Sequence, residues 1–238
     1  MSSIVNAQRQ ATHFKNRVLD LVDTYIKKQP SNVLILRFIT PLVDLITTTG
    51  ADELQLSDKT RGILCNKLVP HLKQLPYDIP KEVAVKAFVD THTNARRIRV
   101  PGLSTAFKQI SFHLTKILLS QGAEDVVLEN YRASLVDFFT RKNTALHSDF
   151  FEGFLRHYRS LGWKFREDIL ELSGKALNGH RKSQAFQFLL IVFPVISAEV
   201  IICSYHPALP LTKRMFSQIV RLSGQRFCHH LSLACMLL

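Results

Sequence analysis

Apolar positions recur at helical spacing along most of the chain. Phe14, Val18, Leu21, Val22 and Tyr25 fall at i, i+4, i+7, i+8 and i+11, which predicts one apolar stripe on a helix over about 8–28. Pro30 cannot continue that helix, so a turn is expected at 29–32. A second pattern begins at once with Leu34, Ile35, Phe38, Ile39, Leu42, Val43 and Ile46, and the two stripes predict an αα-hairpin. Pro41 should bend the second helix, and Thr47-Thr48-Thr49-Gly50 should end it. Leu56, Ile63, Leu64, Leu68 and Leu72 mark a third helix, weakened at Gly62. After the proline-bracketed connector Pro76–Pro80, Val83, Ala84, Ala87 and Phe88 predict a short helix over about 81–93. The segment from Asn94 to Gly102 then reads as a basic loop ending in a turn.

The second half repeats the pattern. Leu103, Phe107, Ile110, Leu114, Ile117 and Leu118 predict one helix, and Val127, Leu128, Tyr131, Leu135, Phe138 and Phe139 another. Asp149 and Glu152 have the spacing of a capping box before Phe150, Phe151, Phe154, Leu155 and Tyr158. A shorter helix carries Phe165, Ile169, Leu170 and Leu172, and a final one starts near Arg181 and includes Phe186 to Phe193. No run has strand character. Such a series either stacks into a solenoid or closes into a compact bundle, and the expectation is the first: an all-α fold, a HEAT/armadillo-like helical repeat (α-solenoid) over residues 1–193, with a strict sequence repeat absent.

From Pro194 the periodicity breaks at Pro194, Pro207 and Pro210, so 194–238 is set apart as a divergent tail rich in Pro, Cys and His. The 46% hydrophobic content is enough for a substantial core, and the sparse Gly and Pro argue against disorder. The first thirty residues lack the apolar segment of a signal peptide, so Cys65, Cys203, Cys228 and Cys235 are expected as free thiols in a reducing compartment.

Catalytic chemistry finds little support. No phosphate-binding glycine motif, no Asp-x-Asp pair and no Gly-x-Ser-x-Gly elbow occurs. The neighbouring acids Glu124-Asp125 and Glu167-Asp168 are better explained as helix starts, where the dipole favours negative charge. His13, His113, His147 and His157 are scattered. Cys203, His206, Cys228, His229, His230 and Cys235 have zinc-ligand chemistry but fit no standard finger spacing. The apolar run 185–202 is interrupted by Gln187, Pro194 and Glu199, so no membrane span is expected. The chain is therefore read as a non-enzyme without cofactor or metal.

Charge changes the picture more. The chain carries 31 Lys and Arg against 19 Asp and Glu, a net +12 that favours acidic partners. Lys27-Lys28 and Arg141-Lys142 fall at predicted helix C-termini, where the dipole accounts for them, while Arg181-Lys182 and Lys213-Arg214 lie near other helix ends. Arg96, Arg97 and Arg99, placed in a loop, have no such account. Planar guanidinium groups in a loop suit phosphate oxygens, so these three are the candidate nucleic-acid contacts. No aromatic platform for single strands accompanies them, and weak sequence specificity follows.

Three segments carry a family likeness: FKNRVLDLVDTYIKKQPSN at 14–32, TPLVDLI at 40–46 and LSDKTRGILCNKL at 56–68. Over about residues 12–193 the chain resembles the C-terminal part of the DNA polymerase phi / Myb-binding protein 1A family, known in fungi as a ribosomal-DNA transcription regulator. The resemblance implies a long helical array in the nucleus and nucleolus that serves ribosomal-DNA transcription and ribosome biogenesis without catalysis. It transfers no catalytic residue. Family members are longer and end in a lysine-rich tail, so the chain is expected to be a fragment or truncated product. Residues 194–238 are then expected to stem from an altered frame, retained intron or misjoined gene. The implied partners are ribosome-assembly or transcription proteins, with RNA or DNA held through the basic surface, and no membrane. The competing expectation is a protein-docking α-solenoid adaptor with no nucleic-acid role.

Overall fold

The computed structural model describes residues 2–50 and 53–193, with side chains from residue 6 onward. Contacts group Met1–Val195 into one compact unit. The tail expectations, including its zinc-type ligands, three of the four cysteines and the end of the 185–202 run, lie outside the described residues. Helices α1 (Ser2–Lys28), α2 (Ile39–Thr48), α3 (Leu54–Ile63) and α4 (Val69–His71) form the first half with α5 (Lys81–Arg97). The second half holds α6 (Leu103–Ser120), α7 (Glu124–Thr140), α8 (Ser148–His157), α9 (Arg159–Trp163), α10 (Arg166–Gly174) and α11 (Gly179–Val192). No strand occurs among the described residues. The all-α helical-repeat expectation holds.

Ahead of α5 the first half departs from the sequence reading in three places. First, α1 does not pair with α2. It lies against α3 and the turn that follows, burying Leu19 and Ile26, while Phe14, Val18 and Leu21 face solvent. The predicted stripe therefore splits: Phe14, Val18 and Leu21 lie outward, while Val22 and Tyr25 are partly buried against the core. Salt bridges line the same contact: Asp20 meets Lys59 at 2.8 Å, Asp23 meets Lys67 at 2.8 Å, and Lys15 meets Glu53 at 3.1 Å. Second, the segment before Pro41 is a 3-10 helix, Val33–Phe38, whose first turn is capped by Asn32 Oδ1 accepting from the Leu34 N–H at 2.9 Å. Pro41 itself sits in the first turn of α2, where its missing N–H is harmless. Third, α3 passes through a π turn, Leu64–Leu68, before α4 and a 3-10 turn, Leu72–Gln74. Pro70 explains the widening, because its ring crowds the carbonyl four residues back and it donates no hydrogen bond.

The second half follows the sequence closely. Helices α5 and α6 pair through a tight connection in which Gly102 adopts φ +86°, a left-handed conformation that glycine accepts without penalty. Helix α7 packs on both, α8 lies on α6, and α10 and α11 pair at the far end with α7 and α8 against them. Acidic first turns occur at Glu124-Asp125 and Glu167-Asp168, as the dipole requires. The capping box at Asp149 does not form. His147 is the N-cap of α8 without a side-chain bond, and Asp149 instead takes Lys108 of α6 at 2.7 Å. The core is strongly aromatic: Phe138, Phe139, Phe151 and Phe188 pack at centroid distances of 5.0–6.1 Å.

Candidate nucleic-acid interface

Helix α5 is longer than its apolar pattern, because Ala95 and the preceding turn are buried although Asn94, Arg96 and Arg97 are polar. Arg96 and Arg97 are therefore helical and occupy the last turn, where the dipole favours cations; only Arg99 lies in the connection. The three side chains do different things. Arg96 is half-buried and donates to Ser134 Oγ at 3.2 Å and Thr93 Oγ1 at 3.2 Å. Burial, opposed by Asp137 and helped by Arg97, lowers its pKa from the ordinary value. Arg99 is exposed and donates from Nη2 to the Thr144 carbonyl at 2.9 Å. Arg97 is exposed and has no acidic partner among the described residues.

These contacts bring remote segments to one edge. The Ala145 N–H donates to the Arg96 carbonyl at 3.4 Å, seating the α7–α8 connection on the end of α5. Thr144 Oγ1 donates to Asp137 at 2.5 Å and holds that connection in turn. From the other side, Arg181 Nη1 donates to the Arg141 carbonyl at 2.7 Å, and its guanidinium lies 5.6 Å from the Phe138 ring centroid. The start of α11, capped by Asn178 Oδ1 accepting from the Arg181 N–H at 2.9 Å, is thereby joined to the same edge. Arg97, Arg99, Arg141 and Lys142 are exposed there, and Lys182 is half-exposed beside Arg181. Asp137 is the acid in contact with this cluster, and it is already engaged by Arg141 at 3.3 Å. The sequence showed three separate basic dipeptides or triplets; the fold makes them one basic edge. Nothing in the local sequence of 141–142 or 181–182 signals that convergence.

Beneath the edge lies a polar group that sequence reasoning missed. His92 is fully buried, with Nδ1 2.9 Å from Ser134 Oγ and Nε2 2.9 Å from Ser111 Oγ; Ser111 Oγ is 2.9 Å from the Tyr131 hydroxyl. Phe88, Tyr131 and Phe150 surround the ring at 4.4–5.2 Å between centroids. Burial, and then the charge of Arg96, lowers the His92 pKa to about 3. Burial raises the Tyr131 pKa to about 12. A serine–histidine contact without access to solvent does not present a nucleophile, so the arrangement is a structural lock. The only sequence signal was a polar Thr91-His92 pair on an otherwise apolar helical face.

A groove of about 520 Å³ opens between the Val33–Phe38 turn and α5, lined by Leu36, Arg37, Pro41, Glu82, Val83 and Lys86 among others. Among the described residues no group of three or more His, Cys, Asp or Glu is arranged to hold a metal, and no helix is long and apolar enough to cross a membrane.

A family model described as Myb-binding protein 1A-like, TPR repeats, matches residues 29–195. The chain belongs to this family. The match to the Myb-binding protein 1A-like model spans α2 to α11, so it contains the whole basic edge and leaves α1 outside. The repeat type it names is TPR, where the pattern suggested HEAT or armadillo; both are stacked helical units, and the family supports a protein-interaction scaffold. No curated protein and no solved structure matches the chain.

Proposed function

We propose that the chain is a non-catalytic nucleolar scaffold of ribosomal-DNA transcription and ribosome biogenesis, which binds proteins through its helical repeats and grips RNA or DNA phosphates along the basic edge. The observation that carries the phosphate part is the convergence of Arg97, Arg99, Arg141, Lys142 and Lys182 from three junctions onto one surface. Guanidinium forks and ammonium groups presented together suit a backbone of phosphates. Arg96 supports this surface from beneath and contributes little direct contact. The nucleolar and ribosomal part rests on the resemblance carried by 14–32, 40–46 and 56–68, together with the family match. A tagged chain expressed in cells should concentrate in nucleoli, and an even distribution would remove that part.

The phosphate part is tested by charge reversal. Arg97→Glu/Arg99→Glu/Lys142→Glu should lower affinity for a structured RNA and a duplex DNA by at least about tenfold at fixed salt. Lys73→Glu/Lys81→Glu/Lys86→Glu reverses the same number of exposed cations away from the edge, with Lys81 at the opposite end of α5 about 24 Å away by helical rise, and should change it little. Equal losses from both variants would reduce the effect to net charge. The mixed-charge groove beside α5 favours a second reading, a protein-docking adaptor with no nucleic-acid role. Under that reading, neither reversal changes nucleic-acid binding because there is none to change.

A further inference from the structure

Among the described residues the outward stripe of α1 has no partner. Phe14 and Leu21 are each 70% exposed and Val18 is 40% exposed, at i, i+7 and i+4 on one face. Tyr25 continues the line and closes its lower end by an edge contact with Phe38 at 5.6 Å between centroids. Exposed apolar side chains scattered singly are ordinary, but three in helical register on one face are the anchor pattern of helix-in-groove and helix-on-helix recognition. The stripe does not hold the fold together, because Leu19 and Ile26 do that from the adjacent face.

Charge around the stripe is sorted by sign. The acids of α1 are turned to its other side and engaged there, Asp20 by Lys59 and Asp23 by both Lys67 and Lys27. Those two lysines hold the Asp23 carboxyl below its ordinary range. The cations beside the stripe are open. Arg17 is three residues after Phe14 and four before Leu21, and Lys28 is three after Tyr25, so both lie along the apolar line. Both are exposed, and neither has an acidic partner among the described residues. A second copy of the same helix would bring cations against cations across an isologous contact, which disfavours self-pairing.

We infer that the Phe14–Val18–Leu21 face of α1 is a docking surface for an amphipathic helix of a protein partner whose apolar stripe is flanked by acidic residues. The apolar anchors supply the contact area, and Arg17 and Lys28 select the flanks and the direction of approach. This face is separate from the basic edge, and its occupant is a peptide helix where the edge takes phosphates.

The test uses the full chain and two synthetic amphipathic peptides of identical leucine pattern, one with glutamate flanks and one with lysine flanks. The glutamate-flanked peptide should bind, and the lysine-flanked one at least about tenfold more weakly. Phe14→Glu/Leu21→Glu should abolish binding. Arg17→Glu/Lys28→Glu, which leaves the apolar anchors intact, should reverse the preference between the peptides. Arg97→Glu/Lys142→Glu on the basic edge should leave peptide binding unchanged, which separates this surface from the phosphate-binding reading. Failure of both peptides to bind, equal binding of the two, or loss through the edge variant would overturn the inference. A concentration-dependent dimer dissolved by Phe14→Glu/Leu21→Glu would assign the face to a second copy and overturn it as well.

Discussion

His92 stays neutral because its ring is buried among Phe88, Tyr131 and Phe150 and lies near the Arg96 charge. That has a consequence for stability. The folded-state pKa is about 3 and the ordinary value is 6.5, so between those limits the unfolded chain holds a proton that the folded chain does not. Stability contributed by the neutral ring is full above pH 6.5 and declines as pH falls toward 3, at about 1.4 kcal/mol per pH unit. Urea midpoints should therefore show a loss of about 2 kcal/mol between pH 7 and pH 5, and His92→Gln should flatten that slope. A wild-type slope retained in full by His92→Gln would remove the assignment. The arginines separate at the same scale. Arg96→Ala strips Ser134 of a donor and opens a half-buried site, so a loss of about 1–3 kcal/mol is expected; Arg97→Ala should stay within about 0.5 kcal/mol. Equal effects in chemical denaturation would mean that the two share one role. Sequence could not tell these neighbours apart, because which of two consecutive helical residues faces inward depends on the helix register, and the segment read as a loop.

At the scale of elements, apolar spacing located the helices well wherever one stripe was dominant, as in α6, α7 and α8. It misjudged α1, where Phe14/Val18/Leu21 and Leu19/Val22/Ile26 are two stripes of similar strength. The partner decides between them, and the residues that meet α1 on the α3 side, Lys59 and Lys67 among them, are remote in sequence. The end of α5 was misplaced for a related reason. A polar run was taken as a loop, although the helix continues through it to Arg97 and turns extended at Ile98, ahead of the Pro101-Gly102 turn. Close packing between elements is most sensitive at Gly162 in α9. A Cβ there would meet Val192 Cγ1 at 2.9 Å and Leu155 Cδ2 at 3.1 Å, so α9 can approach α11 and α8 only without a side chain. Gly162→Ala gains up to about 1 kcal/mol in helix propensity. Overpacking should outweigh that gain, for a net loss of about 1–2 kcal/mol and a lowered thermal midpoint. A raised midpoint would show that α9 can shift outward freely.

At the scale of the whole molecule, the helical class was legible because the 3.6-residue period recurs in most of the long helices. The basic edge was only partly legible. Arg96, Arg97 and Arg99 stood out as the densest cluster, but their association with Arg141, Lys142 and Lys182 arises from backbone and side-chain bonds between residues 40 to 49 positions apart. A helical repeat naturally produces such edges, since the junctions of successive helix pairs line up on one side of the stack. The same geometry makes the edge additive: each exposed cation should contribute its own counterion release, without a single dominant pocket.

The central claim is that this edge binds phosphates, and the slope of affinity against salt measures it most directly. With about four phosphates engaged on duplex DNA, log Kd plotted against log salt should rise with a slope of about 3–4. In Arg97→Glu/Arg99→Glu/Lys142→Glu the slope should fall to about 1 or less. A shallow slope in the wild-type chain, or a steep one that survives the triple reversal, would contradict the account.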